Sequence, residues 1–355
     1  MQLAKIIEKI KIKSIKHYIR RNIFPYKETK IFINKNTLPI VTKKVSTINT
    51  SSQPKQVAVD NIKKIAYVSC MNGKCLQKFS FEKENLKLVD QINFDDQCVE
   101  IEIKDNLLYA TTTNFLRENL QKSFLRIINL DTFSLISSTD TKGAWSKVIK
   151  IDQEKNICYV SNWHSNDITI MDISDKKEPK VLSLIKCKES PRGLGLLSNG
   201  DLVACNFYGK TIIKIGEVNK NFIIKEESEI FDKENYGGNL RDILISNNND
   251  QIYVSNLGRN MILTYNANDL KLLSEILITR EPNSIRFFDN QKYILASSRK
   301  DNIVCVVDVK KNIVIGRSEE TGRLPTGLEV IEGGFLVTNF TEGTMELHRV
   351  NTVLN

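Results

Sequence analysis

One four-residue pattern constrains this chain more than any other feature. "YVSN" at 159–162 recurs as "YVSN" at 253–256. Looser copies are "YVSC" at 67–70, "YATT" at 109–112, "VACN" at 203–206, "LASS" at 295–298 and "LVTN" at 336–339. They end on Cys70, Thr112, Asn162, Asn206, Asn256, Ser298 and Asn339. Successive copies are 42, 50, 44, 50, 42 and 41 residues apart. Self-similarity at a period of roughly 20–50 residues means one supersecondary unit repeated, each copy burying its apolar faces against the next.

The same grammar surrounds each copy. A short turn, often with proline ("QPKQ", "SPRG", "EPNS", "LPTG"), leads into an apolar strand such as "VAVD", "GLGLL" or "SIRFF". A polar turn and the "YVSN" strand follow. A third strand comes next, as in "DITIMDI", "MILTYNA", "NIVCVVDV" or "TMELHRV", and a more variable fourth, as in "KLLSEILIT". Many runs are apolar on successive residues, as in strands covered on both faces. Helical periodicity is absent from residue 51 onward. The spacing lies between the WD40 and kelch periods of propeller blades. The last copy stops after "TMELHRV", too soon for a fourth strand. The strand-like segment "LPIVTKKVSTI", Leu38 to Ile48, is therefore expected to complete the last unit and remove an exposed sheet edge.

On these motifs the chain resembles the YVTN-repeat family of seven-bladed β-propellers, which includes YncE-like and surface-layer-type proteins and is WD40-like in architecture. The resemblance covers about residues 38–355. It implies an all-β fold of seven four-stranded antiparallel blades, with residues 36–355 forming the ring and residues 1–35 a separate arm. It specifies fold far better than function. Many relatives are exported. Here lysines break up the N-terminal apolar residues, and no apolar run approaches the ~18–20 residues of a membrane span. A cytoplasmic monomer is the expectation.

The net charge of +9 is unevenly spread. Residues 1–50 hold twelve Lys/Arg and two acids, leaving 39 basic and 40 acidic residues in the rest. The body is neutral, which argues against a nucleic-acid partner inferred from overall charge. Within the arm, Lys5, Lys9, Lys13, Lys16 and Arg20 would form one stripe on a helix, with isoleucines over the remaining surface. Such a basic amphipathic arm suits an anionic membrane surface at the inner face, or docks on the ring. The seven cysteines show no zinc spacing and sit mostly in apolar strands, as buried reduced thiols do.

Two sets of residues map to the face around the central channel of such a ring. One follows the proline-like turns: Lys55, Ser146 with Lys147, Arg192, Arg241, Asn283 and Thr326. The other follows the repeated tetrad: Trp163 with His164, Phe207 with Tyr208, Arg259, Arg299 with Lys300, and Phe340. This face is basic with interleaved aromatics. Converging guanidinium groups suit a carboxylate or phosphate, although pairing of Arg192 and Arg241 with Glu189, Asp242 or Glu342 would serve only to hold the ring together. The recurring Asn162, Asn206, Asn256 and Asn339 read as turn-stabilising side chains. Too few carboxylates accompany them for a metal, and no cofactor motif is present.

The expected function is non-catalytic binding of a partner protein or an anionic ligand. The expected binding residues are Lys55, Lys147, Trp163, His164, Arg192, Tyr208, Arg241, Arg259, Arg299 and Phe340. Propeller relatives include lactonases. The enzyme alternative would use His164 as base with Arg192 and Arg241 as clamp.

Overall fold

The computed structural model describes residues 40–114, 121–231 and 239–350. The basic arm, residues 1–35, lies outside them. Apart from one 3-10 turn, Glu82–Glu84, the regular structure among the described residues is all strand.

Each repeat is a four-stranded antiparallel meander. The one opened by Ser146–Asp152 continues through Ile157–Asn162 and Asp167–Asp172 to Lys180–Lys186. Burial falls across it in a way the sequence explains. "ICYVSN" is buried at every position, while "KVLSLIK" alternates exposed and half-buried. The second strand is covered on both faces by neighbouring units, whereas the fourth lies on the periphery. Apolar clusters accordingly span two units. Tyr159, Ile168 and Ile170 of this repeat pack with Leu202, Ala204, Ile213 and Ile215 of the next.

All seven tetrads form the second strand of a unit. The prolines differ from expectation. Pro54, Pro191, Pro282 and Pro325 are the first residues of strands, where a missing N–H breaks no ladder bond. The turn is made by the preceding residue, left-handed at Gln53, Ser190, Glu281 and Leu324. The first strands neighbour one another in chain order, and Pro325–Ile331 packs back against Pro54–Asp60.

The segment expected to complete the last unit is the strand Ile40–Asn49. It pairs antiparallel with Thr344–Val350, from Thr42 opposite Val350 to Asn49 opposite Thr344. It also touches Ile313–Ser318 in parallel, at Ile40 and Thr42. The last two units therefore merge into one eight-stranded mixed sheet, while five others stay as separate four-stranded sheets. His348, fully buried, anchors the seam: Nε2 meets Glu346 at 2.9 Å, the ring stacks on Phe335, and Nδ1 is 3.5 Å from the Thr42 hydroxyl. Lys44 reaches Glu346 from the closing strand at 3.2 Å. All seven cysteines are free thiols, six of them buried.

Candidate functional site

The same irregularity occurs where each unit's first strand meets its second. The register slips between Ser146 and Ile149, Pro191 and Leu194, Leu240 and Ile243, and Pro282 and Ile285. Pro54/Gln56, Cys98/Ile101 and Pro325/Leu328 slip likewise. An extra residue on one strand bends it and re-aims its side chains. The residues inside these slips include Lys55, Glu100, Lys147, Arg192, Arg241, Asn283 and Thr326.

The hydroxyl in the tetrad's third position fastens the bulge and ties it to the next unit. Ser161 accepts the Val148 N–H at 3.1 Å and donates to the Arg192 carbonyl at 2.8 Å. Thr111 accepts the Glu100 N–H at 3.2 Å and donates to the Lys147 carbonyl at 2.9 Å. Ser69 does the same for Gln56 and Val99, and Ser255 for Asp242 and Asn283. The repeated Ser/Thr thus sets the backbone of the channel-facing residues. Sequence reasoning weighed the asparagine and passed over this hydroxyl. Three of the four asparagines also act differently from expectation. Instead of bonding their own turn's backbone, they reach side chains at the start of the next strand. Asn162 donates to Asp167 and Thr169, Asn206 to Thr211 and Asn339 to Thr344. Asn256 alone among them accepts a turn N–H, that of Arg259.

The bulged residues form a charged layer across the channel. Glu100, buried, takes Lys55 at 3.3 Å and Arg192 at 3.1 Å. Burial alone would raise its pKa, yet Lys55, Arg192 and Lys147 outweigh that and bring it to about 2. Glu100 was missed in the sequence, where the residues of this face were read as basic and aromatic. Among the described residues no ion pair within 4 Å joins Arg192 or Arg241 to the three acids expected to neutralise them, although Asp242 acts on Arg241 at longer range. Asp242 pairs with Arg286 and Glu342 with Arg323, while Arg192 finds Glu100, 92 residues away.

Two cations of this layer, Lys147 and Arg241, form no ion pair within 4 Å among the described residues, although Glu100 acts on both and Asp242 on Arg241 at longer range. The Lys147 ammonium lies 3.8 Å from the centre of the Trp145 ring. Burial pushes it well below the ordinary lysine range, and Arg192 and Lys55 push it further. Burial, then Arg192 and Arg299, lower the pKa of Arg241 well below the arginine value. Lys55 is lowered by burial in spite of Glu100. Arg192 keeps one buried N–H, Nε, without a hydrogen bond.

Above this layer is a cavity of 170 Å³. It is lined by Lys55, Lys147, Trp163, Arg192, Tyr208, Arg241, Arg299 and Phe340, eight of the ten residues expected on this face. His164 and Arg259 are not in its lining. The His164 ring stands edge-on to Trp145 at 4.5 Å, and Nδ1 is bonded to Gln121 at 2.7 Å. Trp145, Phe207, Met71, Leu257, Asn239 and Glu281 also line it. Trp145 precedes a first strand in the left-handed conformation at φ 52°, as Glu281 does. A tryptophan in that region gives no recognisable sequence signal, because the region is uncommon for bulky residues. Glu281 takes Lys300 at 3.3 Å and Arg299 at 3.9 Å. Below the layer is a second chamber of 460 Å³ that shares Lys55, Arg192 and Arg241 with the first. Arg286 bridges Asp242 and Glu329 there, at 3.0 Å each, and Lys150 meets Glu102 at 2.6 Å.

No family model matches the chain. It is similar to Antigen Lp49 of Leptospira interrogans serogroup Icterohaemorrhagiae serovar copenhageni (strain Fiocruz L1-130), with 25% identity over 245 residues. That match takes in 65% of this chain and 53% of the relative, so the chain spans about half the length of the curated protein it matches. Among solved structures, a chain in the crystal structure of the mitotic checkpoint complex superposes with a TM-score of 0.72 over 88% of this chain and 93% of that one. Identity there is 8%, so the likeness is one of fold. The fold is a multi-blade, WD40-like propeller of antiparallel sheets. No helix among the described residues is long and apolar enough to cross a membrane.

Proposed function

We propose that the chain is a seven-bladed propeller, closed by its N-terminal strand, that acts as a non-catalytic binding module for an anionic group. The group is presented by a small molecule or by an acidic side chain of a partner protein, and it enters the 170 Å³ cavity at the channel mouth. One observation carries this reading: Lys147 and Arg241 line that cavity and form no ion pair within 4 Å among the described residues, the Glu100 and Asp242 carboxylates acting on them only at longer range. A buried guanidinium stays protonated, so its desolvation is relieved only by an opposite charge or hydrogen-bond acceptors. Arg192 and Arg241 offer planar donors of the kind that grip an oxyanion. Propellers host many unrelated functions, so the reading rests on the site and not on the fold.

Calorimetric titration of the full chain with acetate, inorganic phosphate and a short glutamate-rich peptide tests it. We expect saturable binding of at least one, weakened about tenfold or more by Arg241→Gln. Heat indistinguishable from buffer for all three, or an unaffected Arg241→Gln variant, would remove the reading.

The basic stripe of residues 5–20 extends the proposal to an anionic membrane surface. Co-sedimentation with phosphatidylserine vesicles should fall when residues 1–25 are deleted, and unchanged binding would remove this extension.

A further inference from the structure

The cavity lining carries two kinds of chemistry, and the proposed anion accounts for only one of them. Lys55, Lys147, Arg192 and Arg241 lie toward the charged layer. Trp145, Trp163, Phe207, Tyr208 and Phe340 supply aromatic surface elsewhere in the lining. The rings form a connected cluster. Trp163 lies 4.8 Å from Trp145, 6.2 Å from Phe207 and 5.6 Å from Tyr208, and Phe207 stands edge-on to Tyr208 at 4.8 Å. Those separations are the range in which aromatic pairs attract, and a guest ring entering the cavity meets the same geometry. Trp145, Tyr208 and Phe340 are half-buried.

Building on the anion reading above, we propose that the ligand is a small aromatic oxyanion, an aryl group bearing a carboxylate or phosphate. Its charged end meets Arg192, Arg241 and Lys147, and its ring lies against Trp145, Trp163 and Tyr208. A cationic guest is disfavoured, because the face of Trp145 already carries the Lys147 ammonium and the guanidinium groups lie close by. A nucleotide is too large for the cavity, since ordinary pockets for ligands of drug size run to ~300–1,000 Å³. A fragment of one ring and one charge matches its 170 Å³.

The chain provides its own probe. It has two tryptophans, Trp145 and Trp163, and both line this cavity. Intrinsic tryptophan fluorescence of the full chain therefore reports on the site alone. Titrations with benzoate, phenyl phosphate, acetate, inorganic phosphate and benzamide separate ring from charge, each repeated by calorimetry to exclude optical artefacts. We expect one of the two aryl anions to bind about tenfold or more tighter than its ring-free counterpart and than uncharged benzamide. Whether benzoate or phenyl phosphate leads decides between carboxylate and phosphate. Tyr208→Leu and Phe340→Leu, both half-buried and checked for native melting, should shrink the aryl advantage, read as the ratio of aryl to ring-free affinity. Acetate or phosphate binding as tightly as its aryl counterpart would overturn the aromatic ligand and leave the anion site standing. Benzamide binding as tightly as benzoate would overturn the pairing of ring with charge. Failure of every anion in both measurements would remove the two readings together.

Discussion

The Ser161 hydroxyl donates to the Arg192 carbonyl at 2.8 Å while accepting the Val148 N–H at 3.1 Å, joining two consecutive units at the charged channel layer. The repeated tetrad is therefore also the device that positions the site. Ser161→Ala leaves a donor and an acceptor without their partner. The expected loss is about 1–3 kcal/mol, read as a lower urea midpoint at unchanged slope. Ser161→Thr should keep most of the stability, because Thr111 makes the same pair of bonds one unit earlier.

Glu100 ties Lys55 to Arg192. Its folded pKa of about 2 is below the ~4.3 of an unfolded glutamate. The contribution is therefore fully present above about pH 4.3 and is lost as pH falls through about 2. Glu100→Gln should lower stability at pH 7 by about 3 kcal/mol. The gap between the variant and the natural protein should close toward pH 2 in urea titrations. A pH-independent gap would show that Glu100 acts through shape and not charge.

Lys147 runs the other way. Burial lowers its folded pKa, so the unfolded chain binds more protons below the ordinary lysine pKa. Its ionisation opposes folding at neutral pH, and stability rises as pH rises toward 10.5. Lys147→Met should stabilise the fold at pH 7 by about 1 kcal/mol net, after loss of the contact with Trp145. The same change should weaken anion binding. A variant both less stable and equally good at binding would contradict the site.

The closing strand gives a fourth test. Deleting residues 1–39 keeps the pairing of Ile40–Asn49 with Thr344–Val350, and the melting temperature should hold within a few degrees. Deleting residues 1–49 bares that edge and removes Thr42 and Lys44 from the His348–Glu346 seam. Loss of a cooperative transition, or aggregation, is the expected outcome in differential scanning calorimetry.

Much of this was legible in the chain. The period of the tetrad and the runs apolar on both faces dictated repeated four-stranded units, because such strands are stable only when covered on two sides. The strand read at Leu38 to Ile48 pairs with the last repeat over Ile40–Asn49. The basic and aromatic residues after each turn marked eight of the ten residues that meet in one cavity, since repetition places equivalent positions on one face. What the sequence could not set was which charges neutralise each other. Local spacing pointed Arg192 and Arg241 to Glu189, Asp242 or Glu342. The folded chain gives Arg192 a partner 92 residues away and leaves Arg241 with carboxylates only at longer range among the described residues. His164, next to Trp163 in sequence, bonds to Gln121 and packs behind Trp145 and Trp163 without itself lining the cavity. Strand identity follows from local patterning, whereas ion pairing depends on distances across the channel, and those exist only once distant units are brought together.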